Sequence, residues 1–278
     1  MEQERKSVLA NIRAHYPKMF AAEKRVAKFI LNHPEEAIMM NVSELARRSD
    51  VSDATVIRMC KRIGYTGYSQ MRVILANDLG KIQANEVKND GKWPGNIPEL
   101  FQRFSASLVD VQRNLDEQTL FSCVELLQNA DFVHIAAAGN TTPMANDLGF
   151  RLERFGVRAT YSMVTDYMLN HLSLATERDV LIAISHSGTS RQVVQACELA
   201  RQRGLKVIAI TGSEYSPVSS MADYLLLSKV THPVFSDYDP DSHLGVILVM
   251  DTLLYFLANS EKLKRSDDIE LILSEYKL

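Results

Sequence analysis

Apolar and polar positions change their rhythm once along this chain, and the change separates a helical first part from an alternating second part. In the first 79 residues, apolar side chains recur at three- and four-residue intervals, the spacing of one face of an α-helix. Val8, Leu9 and Ile12 mark a helix over 7–16, and Val26, Phe29 and Ile30 a second over 21–32 that ends before Pro34. Met71, Ile74 and Leu75 face inward on a helix over 68–79. Between them, residues 43–65 (SELARRSDVSDATVIRMCKRIGY) read as two short helices joined by a tight turn. Five helices with short connections predict a compact bundle.

From Asp131 onward the pattern becomes strand, helix, strand. DFVHIAAA, VRATYS, DVLIAIS, KVIAIT and YLLLS are apolar runs of strand length. Helical stretches over 143–155, 165–173, 190–203, 217–221 and 242–258 separate or follow them. Strands alternating with helices specify a parallel sheet covered on both faces, here with five strands. Two amphipathic helices, 101–114 and 118–128, precede the first strand. The stretch KIQANEVKNDGKWPGNIP (81–98) is rich in Lys, Asn, Gly and Pro and has no sustained apolar period, so it reads as a linker with a helical start. The expected organisation is an all-α domain over 1–79, a linker over 80–105 and an α/β domain over 106–278.

A chain of 278 residues with 46% hydrophobic and 23% charged residues has ample material for two packed cores. The start, MEQERK, is charged and lacks the apolar stretch of a secretory leader. The greasiest helix candidate, 244–258, is interrupted by Asp251 and too short to span a bilayer, so no membrane partner is expected. Cys60, Cys123 and Cys197 are three, widely spaced and set in apolar patterns. That argues against a disulfide framework and against a zinc site, and favours small core residues in a cytoplasmic protein. No metal or cofactor is expected. Charge is uneven: residues 1–78 carry 13 Lys/Arg against 9 Asp/Glu, whereas residues 79–278 carry 18 against 25. A basic head on an acidic body suits a protein whose head meets a polyanion.

The second helix of the 43–65 pair shows what that head could do. At about 100° of rotation per residue, Val56, Met59, Cys60 and Ile63 share one face, with Thr55, Arg58, Lys61 and Arg62 gathered opposite. Arg can fork onto guanine edges, Thr can reach bases or phosphates, and Lys neutralises phosphate. Ser43 stands where an N-cap of the first helix is expected, with Glu44 behind it, and Ser52 or Asp53 can cap the second. The segment resembles a helix-turn-helix, with small Ala46 and aliphatic Val56 at the positions that motif requires. Asp50 replaces the glycine usual in the turn, and Asp tolerates a left-handed backbone better than most residues.

Two loops after strands carry a different chemistry. In Ala138-Gly139-Asn140-Thr141-Thr142-Pro143, Gly139 permits a sharp turn, Thr142 can cap the next helix, and Pro143 suits its first turn. In Ser185-His186-Ser187-Gly188-Thr189-Ser190, four hydroxyls, a glycine and a histidine crowd a strand-to-helix turn. Hydroxyls and backbone N–H groups at helix N-termini can surround phosphate oxygens without a lysine. Either loop read alone could be a Ser/Thr-rich capping turn.

The segment ISHSGTSRQVVQACELARQRGLKVIAITG resembles the sugar isomerase (SIS) domain, whose second loop reads I-S-x-S-G-x-[ST]. The first loop resembles that family's G-x-G-x-S, with Ala137, Gly139 and Thr141 at its three fixed positions. SPVSSMADYLLL is similar to the family's run into a fifth strand. With the helical head, the arrangement resembles the RpiR family of bacterial transcriptional regulators, over nearly the whole chain. The resemblance implies that Thr141, Ser185, Ser187 and Ser190 hold the phosphate of a sugar phosphate. Gly139, Asn140, Thr142, His186, Gly188 and Thr189 would line the same pocket. In the head, Ser52, Thr55, Arg58 and Arg62 would face double-stranded DNA, with Lys61 at the rim and Ser43 in the same interface. Tyr65 and Tyr68 would contact backbone phosphates or simply pack. A homodimer or homotetramer is expected, because helix-turn-helix proteins usually read two half-sites through a two-fold axis.

A different class of function, a sugar-phosphate isomerase or lyase with an accessory helical domain, requires a positioned general base. Glu153, Asp166, His171, His186 and His243 are the candidates, and none has a spacing that identifies it. Binding without turnover is the more economical reading, so no catalytic residue is assigned.

Overall fold

The helical periods of the head fold as six elements in the computed structural model, which describes residues 7–86, 96–230, 243–260, 271, 272 and 274–276. They are α1 (Val8–His15), α2 (Ala21–Asn32), α3 (Pro34–Met39), α4 (Val42–Arg48), α5 (Asp53–Arg62) and α6 (Tyr68–Glu86). Helix α3 is the one the periodicity misses. Pro34 ends α2 and also opens α3, where its missing N–H and fixed φ suit the first turn. Val26, Ala27, Ile30, Leu45, Val56, Met59, Cys60, Met71 and Leu75 are buried together at the centre of this unit. The Cys60 sulfur lies 3.7 Å from that of Met71, and burial pushes its thiol up to about 12. Cys123 and Cys197 are buried and raised to about 12 for the same reason, so all three act as small core residues.

The chain divides between Glu99 and Leu100 into two compact units. The expected linker is helical at both flanks, since α6 continues to Glu86 and α7 (Ile97–Asn114) begins early. Its middle, residues 87–95, lies outside the described residues. After α7 come α8 (Glu117–Asn129), β1 (Val133–Ala137), α9 (Thr142–Arg154), β2 (Ala159–Tyr161), α10 (Thr165–Ser173) and β3 (Val180–Ile184). Then follow α11 (Arg191–Gln202), β4 (Lys206–Thr211), α12 (Pro217–Met221), β5 (Tyr224–Leu227) and α13 (Leu244–Ala258). The five strands are parallel in the order β2-β1-β3-β4-β5.

Alternation along each strand builds two cores. Val133, Ile135, Ile182, Ile184, Ile208 and Ile210 point to the face covered by α8, α9 and α13. Ala136, Leu181, Ala183, Val207 and Ala209 point to the other, covered by α10, α11 and α12. The strand alanines on that second face leave room for α11, whose own Ala196 and Ala200 are fully buried against it. Chain order reverses at β1: the next strand lies on one side of it and β3 on the other. In an open parallel sheet, this switch point places a crevice beyond the carboxyl ends of β1 and β3. Both loops singled out in the sequence follow these two strands.

Candidate functional sites: a DNA-reading helix and a crown of hydroxyls

In the head, Asn41 rather than Ser43 caps α4. Its side chain accepts from the Glu44 N–H at 2.9 Å, and the Glu44 carboxylate accepts from the Asn41 N–H at 2.9 Å. This reciprocal box needs Glu three residues after the cap, a spacing that selects Asn41. Ser43 lies inside the helix and donates to the Asp53 carboxylate at 2.6 Å, joining α4 to the first turn of α5. Asp50 adopts φ 52°, the left-handed conformation anticipated for the turn. Arg25 of α2 donates to the carbonyls of Ser49 and Asp50 at 3.3 and 2.8 Å and so holds the turn from outside. Ser52 occupies the N-cap of α5, and its hydroxyl meets that of Thr55 at 3.0 Å instead of a backbone N–H.

Helix α5 presents fewer of the expected groups than its sequence suggested. Val56, Met59, Cys60 and Ile63 are buried, as anticipated. Thr55 is buried too, and its oxygen accepts from the Arg58 guanidinium at 3.0 Å. It supports Arg58 from behind and does not face outward. Arg62 is held by Glu23 of α2, with Nε 3.1 and 2.9 Å from the two carboxylate oxygens, and lies 4.7 Å over the Phe20 ring. Tyr65 and Tyr68 pack. Tyr65 is buried, and the Tyr68 hydroxyl donates to the carbonyls of Ala37 and Met40. Burial raises the Tyr68 phenol above its ordinary pKa. Neither ring is placed to meet a phosphate. What remains exposed on α5 and its cap is Ser52, Ala54, Ile57, Arg58, Lys61 and the rim of Arg62.

At the sheet, Thr141 rather than Thr142 occupies the N-cap of α9, which follows directly on a 3-10 turn over Gly139–Thr141 and so begins one residue earlier than expected. Gly139 has φ 63°, and Gly139 and Asn140 are exposed while Thr142 is half-buried. The buried Thr141 hydroxyl reaches the Ala138 carbonyl at 3.1 Å and the Ile184 carbonyl at 3.2 Å, bridging the ends of β1 and β3. In the second loop, Ser185 is buried and donates to Ser190 at 3.2 Å. Ser187 and Thr189 share a hydroxyl contact of 2.9 Å, and the Thr189 N–H donates to Ser187 at 3.3 Å. Gly188 turns the chain at φ 66°, and a methyl group there would stand 2.0 Å from the Ser216 oxygen.

A third loop, after β4, braces the second and was not anticipated as part of the site. The Gly212 N–H and the Thr211 hydroxyl donate to the His186 carbonyl at 2.9 and 3.1 Å. The Val218 N–H donates to the Gly188 carbonyl at 3.1 Å. The sequence signal was present in Thr211-Gly212-Ser213 followed by Ser216-Pro217, a third hydroxyl-rich strand-to-helix turn.

The acid–base candidates are dispersed. Glu153 accepts from the Tyr161 hydroxyl at 3.1 Å, Asp166 and His171 lie on α10, His243 precedes α13, and His186 belongs to the second loop. A buried histidine that the sequence reading passed over, His134, lies at the opposite, amino-terminal end of β1. Its Nδ1 is 2.7 Å from the Thr160 hydroxyl and its Nε2 is 3.7 Å from Asp179. Among the described residues, no group of three or more His, Cys, Asp or Glu is arranged to hold a metal ion. No helix among them is long and apolar enough to cross a membrane.

Residues 6–81 match the family model of the helix-turn-helix domain of the rpiR family, and residues 126–236 match that of the SIS domain. The two matches follow each other in the order that the fold displays. The chain is an RpiR-family regulator. An HTH-type transcriptional regulator of Haemophilus influenzae is 27% identical over 263 residues, covering 92% of this chain and 91% of that protein. HexR of Pseudomonas aeruginosa is 27% identical over 270 residues, covering 95% and 92%. The structure of Vibrio vulnificus NanR complexed with ManNAc-6P has a TM-score of 0.81 at 26% identity and covers 97% of each chain. These relatives span nearly all of the regulator, and the two found by sequence carry the names of HTH-type transcriptional regulators. Helices α4 and α5 of the regulator fall within its helix-turn-helix match, and all three strand-end loops fall within its SIS match.

Proposed function

We propose that this regulator binds operator DNA through α5 and changes its DNA affinity when a phosphorylated sugar occupies the crown of loops at β1 and β3. One observation carries the ligand half of this reading. Hydroxyl-bearing turns follow two adjacent strands at the switch point, and the Thr141 hydroxyl ties one turn to the end of the other strand. Both turns lead into helix N-termini, where backbone N–H groups favour an anion. The NanR structure contains ManNAc-6P, which gives the ligand class its independent support. Thr141, Ser185, Ser187 and Ser190 are the proposed phosphate-holding residues. Gly139, Asn140, Thr142, His186, Gly188 and Thr189 are proposed to complete the pocket. On the DNA side, Ser43, Ser52, Arg58 and Lys61 remain the proposed interface. The regulator is proposed to act as a homodimer or homotetramer, so that two heads meet two half-sites.

The test is a thermal-shift screen of sugar phosphates, including ManNAc-6P, followed by gel shifts on a selected operator. A sugar phosphate is expected to raise the melting temperature and alter operator affinity. The Thr141→Ala/Ser185→Ala double variant is expected to lose both responses while its ligand-free protein still binds operator. A double variant that still responds to the sugar phosphate would place the effector elsewhere.

A further inference from the structure

Helix α5 keeps a stripe that neither the bundle core nor its hydrogen bonds explain. At about 100° per residue, Ala54, Ile57, Arg58 and Lys61 fall within an arc of roughly 100°, opposite the buried Val56, Met59, Cys60 and Ile63. Thr55 and Arg62 lie on the flank of that stripe and are engaged by Ser52 and Arg58, and by Glu23, respectively. Beside the Glu23-bound rim of Arg62, the outward surface of this helix therefore consists of two cations and two side chains that cannot hydrogen-bond. Ile57 is 36% exposed, although its neighbours on the opposite face are sealed in the core. An aliphatic residue beside Arg58 and Lys61 gains nothing from water, and Ile57 is not among the side chains of the bundle core.

We infer that Ala54 and Ile57 read the C5-methyl group of a thymine in the major groove, an inference that rests on α5 being the helix that enters the DNA. The argument is one of chemical complement. Cations at the stripe call for a polyanion, and the apolar pair calls for an apolar group within reach of it. Among the base edges of the major groove, the thymine methyl is the apolar feature, and aliphatic side chains such as Ala recognise it by contact. Residues three apart on a helix are about 4.5 Å apart along its axis, about a third more than the ~3.4 Å rise of a base step, so the pair can reach one thymine or two adjacent ones. Arg58, held from behind by the Thr55 hydroxyl, is then free to use its outer nitrogens on a neighbouring guanine.

The experiment uses the full-length protein and a duplex recovered with it from a random-sequence library. Each thymine of the recovered half-site is replaced singly by deoxyuridine, which lacks only the methyl group. At one thymine or two adjacent ones, wild-type affinity is expected to fall about fourfold, the value of one buried methyl. The Ile57→Ala protein, its fold checked by its melting temperature, is expected to prefer thymine over deoxyuridine less than the wild type does, with Ala54 keeping the remainder. A half-site without thymine, indifference of the wild type to every replacement, or an unchanged thymine preference in Ile57→Ala would each overturn the inference while leaving α5 as the DNA-binding helix. An altered oligomeric state in Ile57→Ala, with its thymine preference intact, would overturn it by assigning the stripe to a second copy of the chain. Failure to recover any duplex would overturn this inference together with the DNA-binding reading beneath it.

Discussion

Asp50 holds the turn of the helix-turn-helix at φ 52°, where most L-residues are disfavoured by about 1–2 kcal/mol and Asp by less. Arg25 secures the arrangement by donating to the carbonyls of Ser49 and Asp50, one on each side of the Asp50 Cα. Asp50→Gly is expected to leave stability unchanged or raise it by about 0.5 kcal/mol, since glycine enters this region without strain but loses more chain entropy. Asp50→Val is expected to cost about 1–2 kcal/mol, because its branched Cβ cannot relax there. Urea denaturation of both variants checks the pair, and equal stability of the two would show that the turn carries no left-handed strain. Asp50 was legible because its local alternatives are few. Thr55 was not, because it sits on the border between the two faces of α5, where one-dimensional periodicity assigns no side. Arg62 was still less legible, since the Glu23 that claims it lies 39 positions away in the chain.

At the scale of elements, apolar runs of strand length identified all five strands, and Gly156 and Gly204, each at positive φ, stand at helix-to-strand turns. The bracing of the second loop by the third was hidden because it depends on β3 and β4 being neighbours, a pairing that order along the chain does not reveal. The β1–β3 seam also contains His134, which Asp179 approaches without a good hydrogen bond. Burial lowers the His134 pKa, the nearby Asp179 charge opposes that effect, and the His171 charge adds to it. Folded His134 therefore takes up a proton less readily than unfolded His134. Stability is complete above the unfolded value of about 6.5 and declines as pH falls through it, until the folded imidazole itself protonates. The melting temperature of the sheet unit is expected to drop between about pH 7.5 and 5.5, and His134→Gln should flatten that drop. An identical slope in the variant would assign the acid sensitivity to other groups.

For the whole molecule, a sensor and a reader in one chain are useful only if each alters the other. A sugar phosphate that changes operator affinity by a given factor must have its own affinity changed by the operator by that same factor, typically about 5- to 150-fold. Calorimetric titration of the sugar phosphate into free and operator-bound regulator is expected to return the factor seen in gel shifts. A factor of one in both experiments would leave the two units uncoupled. The Glu23–Arg62 pair bears on how the regulator meets its operator in solutions of differing ionic strength. Duplex DNA sheds condensed counterions in proportion to the protein cations that reach its phosphates. A guanidinium already neutralised by a buried carboxylate would liberate few, so under the proposed reading α5 would spend two positive charges on DNA where its sequence advertises three.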